Sequence, residues 1–245
     1  MRCVFLRGNY IISDIQYQYQ IRDLQKGKKR IMSRYLVIDL EMCKVPKSRK
    51  KFYGCANEII EIGAVLIDEN LEISDSFKTY VSPEFGVIDS YIHNLTGISK
   101  NDVTGAPKVR EALGMLIEWM PHDAILVTWS ENDEKQISIE TERKGIEIPE
   151  MASFWQNAED CQLIFSSRMD SPKVYGLKEA LIIADIFYDE HIHDAYADAY
   201  NTALLFIKLK KEKKLELNPY YSGKTASKHS YNPFADLLAG YKWVV

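Results

Sequence analysis

The 245-residue chain contains no apolar run that approaches the roughly 18–20 residues of a membrane-spanning helix. Its first residues, Met1 to Arg7, lack the long apolar stretch of a secretory signal. There are only four cysteines and no CxxC pair, which excludes a disulfide framework and a cysteine zinc cluster. We therefore expect a cytoplasmic protein with reduced thiols and no membrane contact.

Acidic residues outnumber basic residues outside the N-terminus. The net charge is −4, but residues 1–31 carry seven Lys/Arg and two Asp, so the remainder carries −9. An acidic body argues against broad coating of duplexes, because that requires many phosphate contacts from lysine and arginine. It does not exclude a nucleic-acid substrate, because divalent cations neutralise both carboxylates and phosphates.

The first 32 residues differ in composition from the rest of the chain. Gln16–Gln20 is polar and aromatic, and Lys26–Arg30 is basic. The segment is interpretable as a nucleic-acid-binding arm, as a flexible tail, or as a stretch that is not translated. We favour the last interpretation, because codons for Lys, Gly and Arg can be purine-rich, as a ribosome-binding site is, and this run lies just before Met32.

Residues 33–214 have the regular patterning of a folded domain, and residues 215–245 read as a linker with a short amphipathic end. The linker is rich in Pro, Tyr, Ser and Gly. The apolar residues at its end, with helical spacing, are Phe234, Leu237, Leu238 and Tyr241. Three interpretations of this stripe stay open: it docks on its own domain, it binds a protein partner, or it remains loose.

The order of apolar patterns in residues 33–214 predicts an α/β domain. Three strands in hairpin succession are followed by strands that alternate with helices, which is typical of a mixed sheet flanked by helices, here with five strands. The basic stretch Lys44–Lys51 is interpreted as a loop that holds substrate phosphates or is merely solvated. The expected strands are 35–39, 58–67, 73–81, 124–129 and one near 154–155, and the expected helices are 109–120, 132–144, 161–167, 177–186 and 195 to about 213.

Two carboxylates are expected on one face of the first strand. Alternate side chains of a strand share a face, so Asp39 and Glu41 point the same way while Leu40 points into the core. Two carboxylates this close raise each other's pKa unless a cation lies between them. Magnesium prefers such oxygen ligands.

A third carboxylate follows the apolar strand that ends at Trp129. Asp133 opens the next helix, where a carboxylate is commonly a helix cap. The same position is also the end of a buried strand, where open α/β sheets place their binding sites.

His193 and Asp198 supply the remaining chemistry. A separation of five residues is a rotation of about 140° on a helix, so we expect His193 to precede the helix and Asp198 to lie in its first turns. A small-residue stripe every four positions predicts that this helix lies close to the sheet; its members are Ala195, Ala199 and Ala203. Histidine titrates near neutrality, as a general base for water should.

Together, the order Asp39-x-Glu41, Asp133 and His193-x-Ala195-x-x-Asp198 resembles the DEDDh family of 3′–5′ exonucleases, over residues 34 to about 210. The resemblance implies a ribonuclease-H-like fold and a site for two Mg²⁺ or Mn²⁺ ions. It implies that Asp39, Glu41 and Asp198 bind metal directly, that Asp133 helps to hold the second ion, and that His193 activates water. The products would be nucleoside 5′-monophosphates, released one at a time from a 3′ hydroxyl end.

Further motifs resemble the branch of exoribonucleases that trims small RNAs and histone-mRNA ends, together with its bacterial relatives. They are Asn57–Ala64, His93–Ile98 and Gly176–Lys178. By that similarity we expect a single-stranded nucleic-acid substrate, with RNA favoured, and substrate contacts from Met42, Leu95, Thr96, Gly97 and Trp129. Cys43 stands where many relatives carry threonine, which changes an expected contact to the substrate strand.

Two alternatives stay open from the sequence. One is a DNA exonuclease of the proofreading type, because no motif reports contacts to the ribose 2′-hydroxyl. The other is a catalytically silent nucleic-acid-binding module that retains the fold.

Overall fold

The computed structural model describes residues 33–150, 155–188 and 193–221. Expectations for the extension at 1–32, including the start at Met32, and for the apolar stripe at 234–241 lie outside these residues and stay predictions. Among the described residues, no helix has the length and apolar character needed to cross a membrane.

A five-stranded mixed sheet forms the centre of the domain, as the sequence predicts. The strand order is β3-β2-β1-β4-β5, with β1–β2 and β2–β3 antiparallel and β1–β4 and β4–β5 parallel. Strands β1 and β2 are buried on both faces, which explains their nearly continuous apolar sequences. The strands are β1 (Tyr35–Lys44), β2 (Asn57–Ile67), β3 (Ile73–Tyr80), β4 (Ile125–Thr128) and β5 (Glu159–Asp160).

Helices cover both faces of the sheet and divide the core in two. One cluster packs the Leu40 face of β1 against α4 and α5, and the other packs the Val37 face against α6, α7 and α8. The described helices are α1 (Lys47–Tyr53), α2 (Ser90–Thr96), α3 (Lys100–Val103), α4 (Val109–Trp119), α5 (Asn132–Lys144), α6 (Cys161–Arg168), α7 (Leu177–Ile183) and α8 (Ala195–Lys211).

Three local expectations were wrong or incomplete. The fifth strand is at Glu159–Asp160, where only two residues pair with Val127 and Thr128, and the expected Trp155 is helical, while Phe154 lies outside the described residues. The basic stretch is not entirely a loop, because Lys47–Tyr53 forms α1. Helices α2 and α3 are absent from the sequence expectations, since each has at most seven residues and one buried side chain.

A buried ionic cluster anchors the loop between β3 and α2. The Glu58 carboxylate accepts hydrogen bonds from the backbone N–H groups of Glu84, Phe85 and Gly86 at 2.8, 2.8 and 2.6 Å. Lys144 Nζ lies 2.6 Å from Glu58 Oε1 and 3.0 Å from Glu140 Oε1, and both carboxylates are fully buried. Burial raises the pKa of Glu58, but the hydrogen bonds from Lys144 and the backbone more than offset it, so the net pKa is lowered.

Candidate active site

Strand β1 presents Asp39 and Glu41 on the sheet face that α8 covers. Leu40, between them, is 5% exposed and packs in the opposite half of the core, as the strand periodicity requires. In the ladder with β2, Asp39 is opposite Gly63 and Glu41 is opposite Glu61. The expectation of two carboxylates on one face is therefore confirmed.

Asp133 is the second residue of α5, just after the end of β4, and it is buried. The backbone N–H groups of Asp133 and of Leu40 in β1 lower the pKa of its carboxyl group, although burial outweighs them. The influence of the Leu40 N–H means that the start of α5 lies beside the strand that carries the other two carboxylates. Asp133 thus lies beside them, as its position after a buried strand indicated.

The start of α8 brings His193 and Asp198 together. Asp194 caps the helix by accepting a hydrogen bond from the Ala197 N–H at 3.0 Å, and Asp198 lies in the first turn. His193 precedes the helix, in a left-handed conformation with φ of 69°, and its backbone N–H donates to Asp198 Oδ2 at 3.1 Å. The spacing of five residues therefore places the histidine outside the helix and the aspartate inside it, as expected.

Close contact between α8 and the sheet depends on small residues from both sides. Ala195, Ala199 and Ala203 are completely buried. Opposite them, a Cβ atom on Gly63 would lie well under 3.0 Å from the Ala195 carbonyl group, which is backbone that cannot rotate away. Gly63 therefore lets the beginning of α8, and with it Asp198, approach the strand position directly opposite Asp39.

Three side chains meet closely enough to share one metal ion. Glu41, His193 and Asp198 each offer one ligand atom, and these atoms lie within 4.8 Å of one another. Asp39 and Asp133 are not in this group of three, but Asp39 interacts electrostatically with Asp133, Asp198 and Glu41. All five residues expected from the sequence are therefore at one site.

The electrostatics of this site favour bound cations. Burial and the charge of Asp198 raise the pKa of Glu41 to about 8. Burial raises the pKa of Asp133 to about 7, although the backbone N–H groups of Asp133 and Leu40 lower it. Burial, Asp133 and Asp198 also raise the pKa of Asp39 well above its usual range. Ionised carboxylates packed this closely repel one another, so divalent ions of the Mg²⁺ or Mn²⁺ type fit this oxygen-rich set.

A second ionic group holds the start of α8 in place. Glu61, on β2, is 1% exposed, and its Oε2 accepts the Ala195 N–H at 2.9 Å. Lys78, on β3, lies 3.0 Å from Glu61 Oε1 and also binds the Asp194 carboxylate. Lys78 thereby links the sheet to both residues that follow His193.

Glu61 and Gly63 lie within the Asn57–Ala64 motif, but the sequence assigned no role to either of them or to Lys78. A signal for Glu61 was present, because it is the one charged residue between the apolar residues Ile59 and Ile67 of a buried strand. A charge at such a position requires a partner, although the sequence does not say which one. Lys78 lies on a strand with polar neighbours and gives no such signal.

We expect Lys78→Met to lower kcat by about 10- to 100-fold, because small displacements of catalytic groups have effects of this size. Without Lys78, the negative charges of Glu61 and Asp194 raise the pKa of Glu41 further, so the acid limb of the pH–rate profile should move to higher pH. Lys78→Arg should restore most of the rate. Lys173→Met, which removes a surface ion pair with Glu179, is the control. An unshifted pH profile in Lys78→Met would contradict this role.

The residues that the sequence predicts to contact the substrate lie at the end of α2, on β1 and just after β4. Leu95 is exposed near the end of α2, and the Thr96 hydroxyl donates to the Ile92 carbonyl at 2.9 Å and accepts from the Ile98 N–H at 3.1 Å. Gly97 ends the helix with φ of 74°. Met42 and Trp129 are half-buried and pack against the two halves of the core. Their contacts with a nucleotide stay predictions.

Comparison with known proteins gives independent support for an exonuclease site. Residues 36–206 match the family model described as Exonuclease (RNase_T). A relative named ERI1 exoribonuclease 2, from Danio rerio, is 29% identical over 72% of this chain and 35% of its own length. The DNA polymerase III subunit epsilon of Aquifex aeolicus is 29% identical over 80% of this chain and 91% of its own.

A solved structure shows the same fold. It is described as 3′-end specific recognition of histone mRNA stem-loop by 3′-exonuclease, and it superposes with a TM-score of 0.65 at 22% identity. The match covers 84% of this chain and 74% of that one. The expected ribonuclease-H-like sheet is therefore confirmed. This chain spans only about a third of the length of the Danio rerio relative.

Proposed function

Because this chain belongs to the exonuclease family, we propose that it is a metal-dependent 3′–5′ exonuclease that releases nucleoside 5′-monophosphates from single-stranded RNA or short oligonucleotides. The observation that carries the proposal is the convergence of Asp39, Glu41, Asp133, His193 and Asp198 from β1, α5 and α8. A silent binding module would not need four carboxylates at one site, where their repulsion and burial raise the pKa values of Asp39, Glu41 and Asp133.

In this proposal, Asp39, Glu41 and Asp198 hold divalent cations directly, and Asp133 helps to hold the second of two. Bound divalent cations supply stabilisation for negative charge on the attacking and leaving oxygens of an in-line displacement. A ring nitrogen of His193 accepts the proton of the attacking water. Because His193 is exposed, it passes that proton to solvent without rearrangement of the core.

RNA is the polymer we favour. The support is the exoribonuclease among the relatives and the likeness of the Asn57–Ala64 and His93–Ile98 motifs to that branch. The turn at Leu95–Gly97 and the residues Met42 and Trp129 are proposed to contact the terminal nucleotide. The second candidate is a DNA exonuclease of the proofreading type, which the match over most of the Aquifex epsilon subunit favours.

The proposal includes a cytoplasmic location. Its support is the chemistry of the cysteines, since Cys43, Cys55 and Cys161 are all free, buried thiols in the structure.

The test uses 5′-labelled RNA and DNA strands of matched sequence, incubated with Mg²⁺, with Mn²⁺ and with chelator. We expect metal-dependent shortening from the 3′ end, with RNA degraded faster, and little degradation in chelator. Faster degradation of DNA would overturn the choice of RNA and favour the second candidate. Internal cleavage, or no hydrolysis of either polymer with any metal, would overturn the proposed function itself.

A further inference from the structure

Among the described residues, helix α1 (Lys47–Tyr53) buries one side chain, and one hydrogen bond from the exposed Arg49 guanidinium to the Phe85 carbonyl, at 3.1 Å, also attaches it to the domain. Tyr53 is 5% exposed and stacks on Phe85 with ring centroids 4.6 Å apart. Every other residue of the helix is exposed. The helix therefore contributes little to the core, which raises the question of what its outer surface does.

The outer surface of α1 carries cations without acidic partners in the described part of the chain. Among the described residues, none of its Lys or Arg side chains, nor that of Lys44 just before it, forms an ion pair with a carboxylate. Lysines elsewhere, such as Lys78, Lys144 and Lys210, do have such partners. In a chain with a net charge of −4, a group of uncompensated cations is available for an external anion.

Two exposed aromatic rings accompany these cations. Phe52, in α1, is 80% exposed and Tyr91, in α2, is 58% exposed. Lys51 Nζ lies 5.3 Å from the centre of the Phe52 ring, and Lys44 Nζ lies 4.9 Å from that of Tyr91. Cations beside open aromatic faces are the combination with which proteins hold single strands, through phosphates and stacked bases.

This surface begins next to the active site. Lys44 is three residues after Glu41 on the same strand, a distance of about 10 Å at the rise of a β-strand. Stacked nucleotides are about 3.4 Å apart along one strand, so about three of them cover this distance. A strand whose 3′ end lies at Glu41 and Asp198 therefore reaches Lys44 within a few nucleotides.

We propose that Lys44, α1 and Tyr91 form a landing surface for single-stranded nucleic acid whose 3′ end lies in the active site. The lysines and Arg49 bind phosphates upstream of the scissile bond, and Phe52 and Tyr91 stack unpaired bases. This inference rests on the proposed function. It adds that the enzyme holds strands longer than about four nucleotides more tightly than shorter ones.

The first test is binding of a 5′-fluorescent 12-mer RNA, measured by anisotropy over a range of salt concentrations. Lys50→Glu/Lys51→Glu should weaken binding by at least about tenfold at low salt. It should also make the salt dependence shallower by about 1.4 in log–log slope, since each phosphate contact on a single strand contributes about 0.7. Phe52→Ala should weaken binding by at least about fivefold without changing that slope.

The matched control is Lys213→Glu/Lys214→Glu. It makes the same change of charge at two exposed residues beyond the far end of α8, which at 17 residues is about 25 Å long. Equal weakening by the two double variants would overturn the landing surface, because only the net charge would then matter. Unweakened binding by Lys50→Glu/Lys51→Glu would overturn it as well, and binding of anionic phosphatidylserine vesicles in place of RNA would assign α1 to a membrane surface.

Hydrolysis separates this inference from the proposed function. For Lys50→Glu/Lys51→Glu, kcat/KM on a 12-mer should fall about tenfold relative to kcat/KM on a dinucleotide. A proportional loss on both substrates would overturn the landing surface. If the unmodified protein hydrolyses neither substrate, the proposed function fails, whatever the binding experiment gives.

Discussion

Replacing Asp198 by asparagine should reduce metal-dependent hydrolysis by at least about 10³-fold while the protein stays folded. The Asp198 carboxylate is one of three possible metal ligands that lie close together, with Glu41 and His193. Its negative charge also raises the pKa values of Asp39, Glu41 and Asp133. A metal ion contributes several kcal/mol to stabilisation of the transition state, and each factor of ten in rate corresponds to about 1.4 kcal/mol. Initial rates on a labelled oligonucleotide, in excess Mg²⁺, measure the loss.

The same substitution should stabilise the protein when no metal is present. The raised pKa values of Glu41 (about 8) and Asp133 (about 7) mean that the native state binds more protons than the unfolded state. The stability associated with these protons is present below the ordinary carboxyl pKa and is lost as the pH rises through 7 and 8. Asp198→Asn removes one repelling charge, so its metal-free melting temperature should fall less between pH 5 and pH 8.

Asp170→Asn is the matched control for Asp198→Asn. Asp170 is exposed beyond the end of α6 and already has φ of 47°, a conformation that asparagine tolerates. It should have the activity and the pH dependence of the unmodified protein. Unchanged activity in Asp198→Asn would disprove the assignment of the site, and an unchanged pH dependence of melting would contradict the electrostatic account of it.

Replacing Gly63 by alanine should have the second-largest effect, although glycine to alanine adds only one methyl group. The new Cβ would collide with the backbone of Ala195 and Tyr196, so the start of α8 must move away from β2. Overpacking of this kind costs about 1–3 kcal/mol of stability. A displacement of about 1 Å at Asp198 lowers the rate by about 10²-fold.

Gly114→Ala is the matched control for Gly63→Ala. A Cβ atom on Gly114, within α4, meets no atom within 4 Å, and alanine favours the helix by about 0.5–1 kcal/mol. We expect a normal rate and an equal or higher melting temperature for this control. Thermal melts and rates of the two variants, measured side by side, check the prediction. It is wrong if Gly63→Ala has the rate and melting temperature of the unmodified protein.

The central elements of the fold were predictable because their residues are buried on a regular pattern. The apolar runs of β1 and β2 and the stripe of α4 carry that pattern in the sequence itself. Helix α1 gave no such signal, since its outer residues face solvent and only Tyr53 is buried. Strand β5 has two residues, too few for any periodicity, and it exists because β4 offers it a pairing edge.

Some residues of the candidate site could also be predicted from the sequence, and others could not. Residue type, spacing and family resemblance can all be obtained from the sequence, and together they identified five residues of the site: Asp39, Glu41, Asp133, His193 and Asp198. The role of Lys78 depends on Glu61 and Asp194, which lie 17 and 116 residues away from it. The role of Gly63 depends on how closely a helix more than 130 residues later approaches the sheet. Such contacts are properties of the tertiary structure, and no local pattern reports them.

The anchoring of the loop between β3 and α2 has a consequence for how the domain opens. Three successive amides, of Glu84, Phe85 and Gly86, are bound to a carboxylate that is itself neutralised inside the core by Lys144 of α5. To release the loop alone would leave the buried Glu58 carboxylate without its three backbone hydrogen bonds and with Lys144 as its remaining partner, which is unfavourable. The loop and the helix α2 that it positions therefore belong to the same cooperative unit as the sheet, and hydrogen exchange at these amides should proceed only with global unfolding.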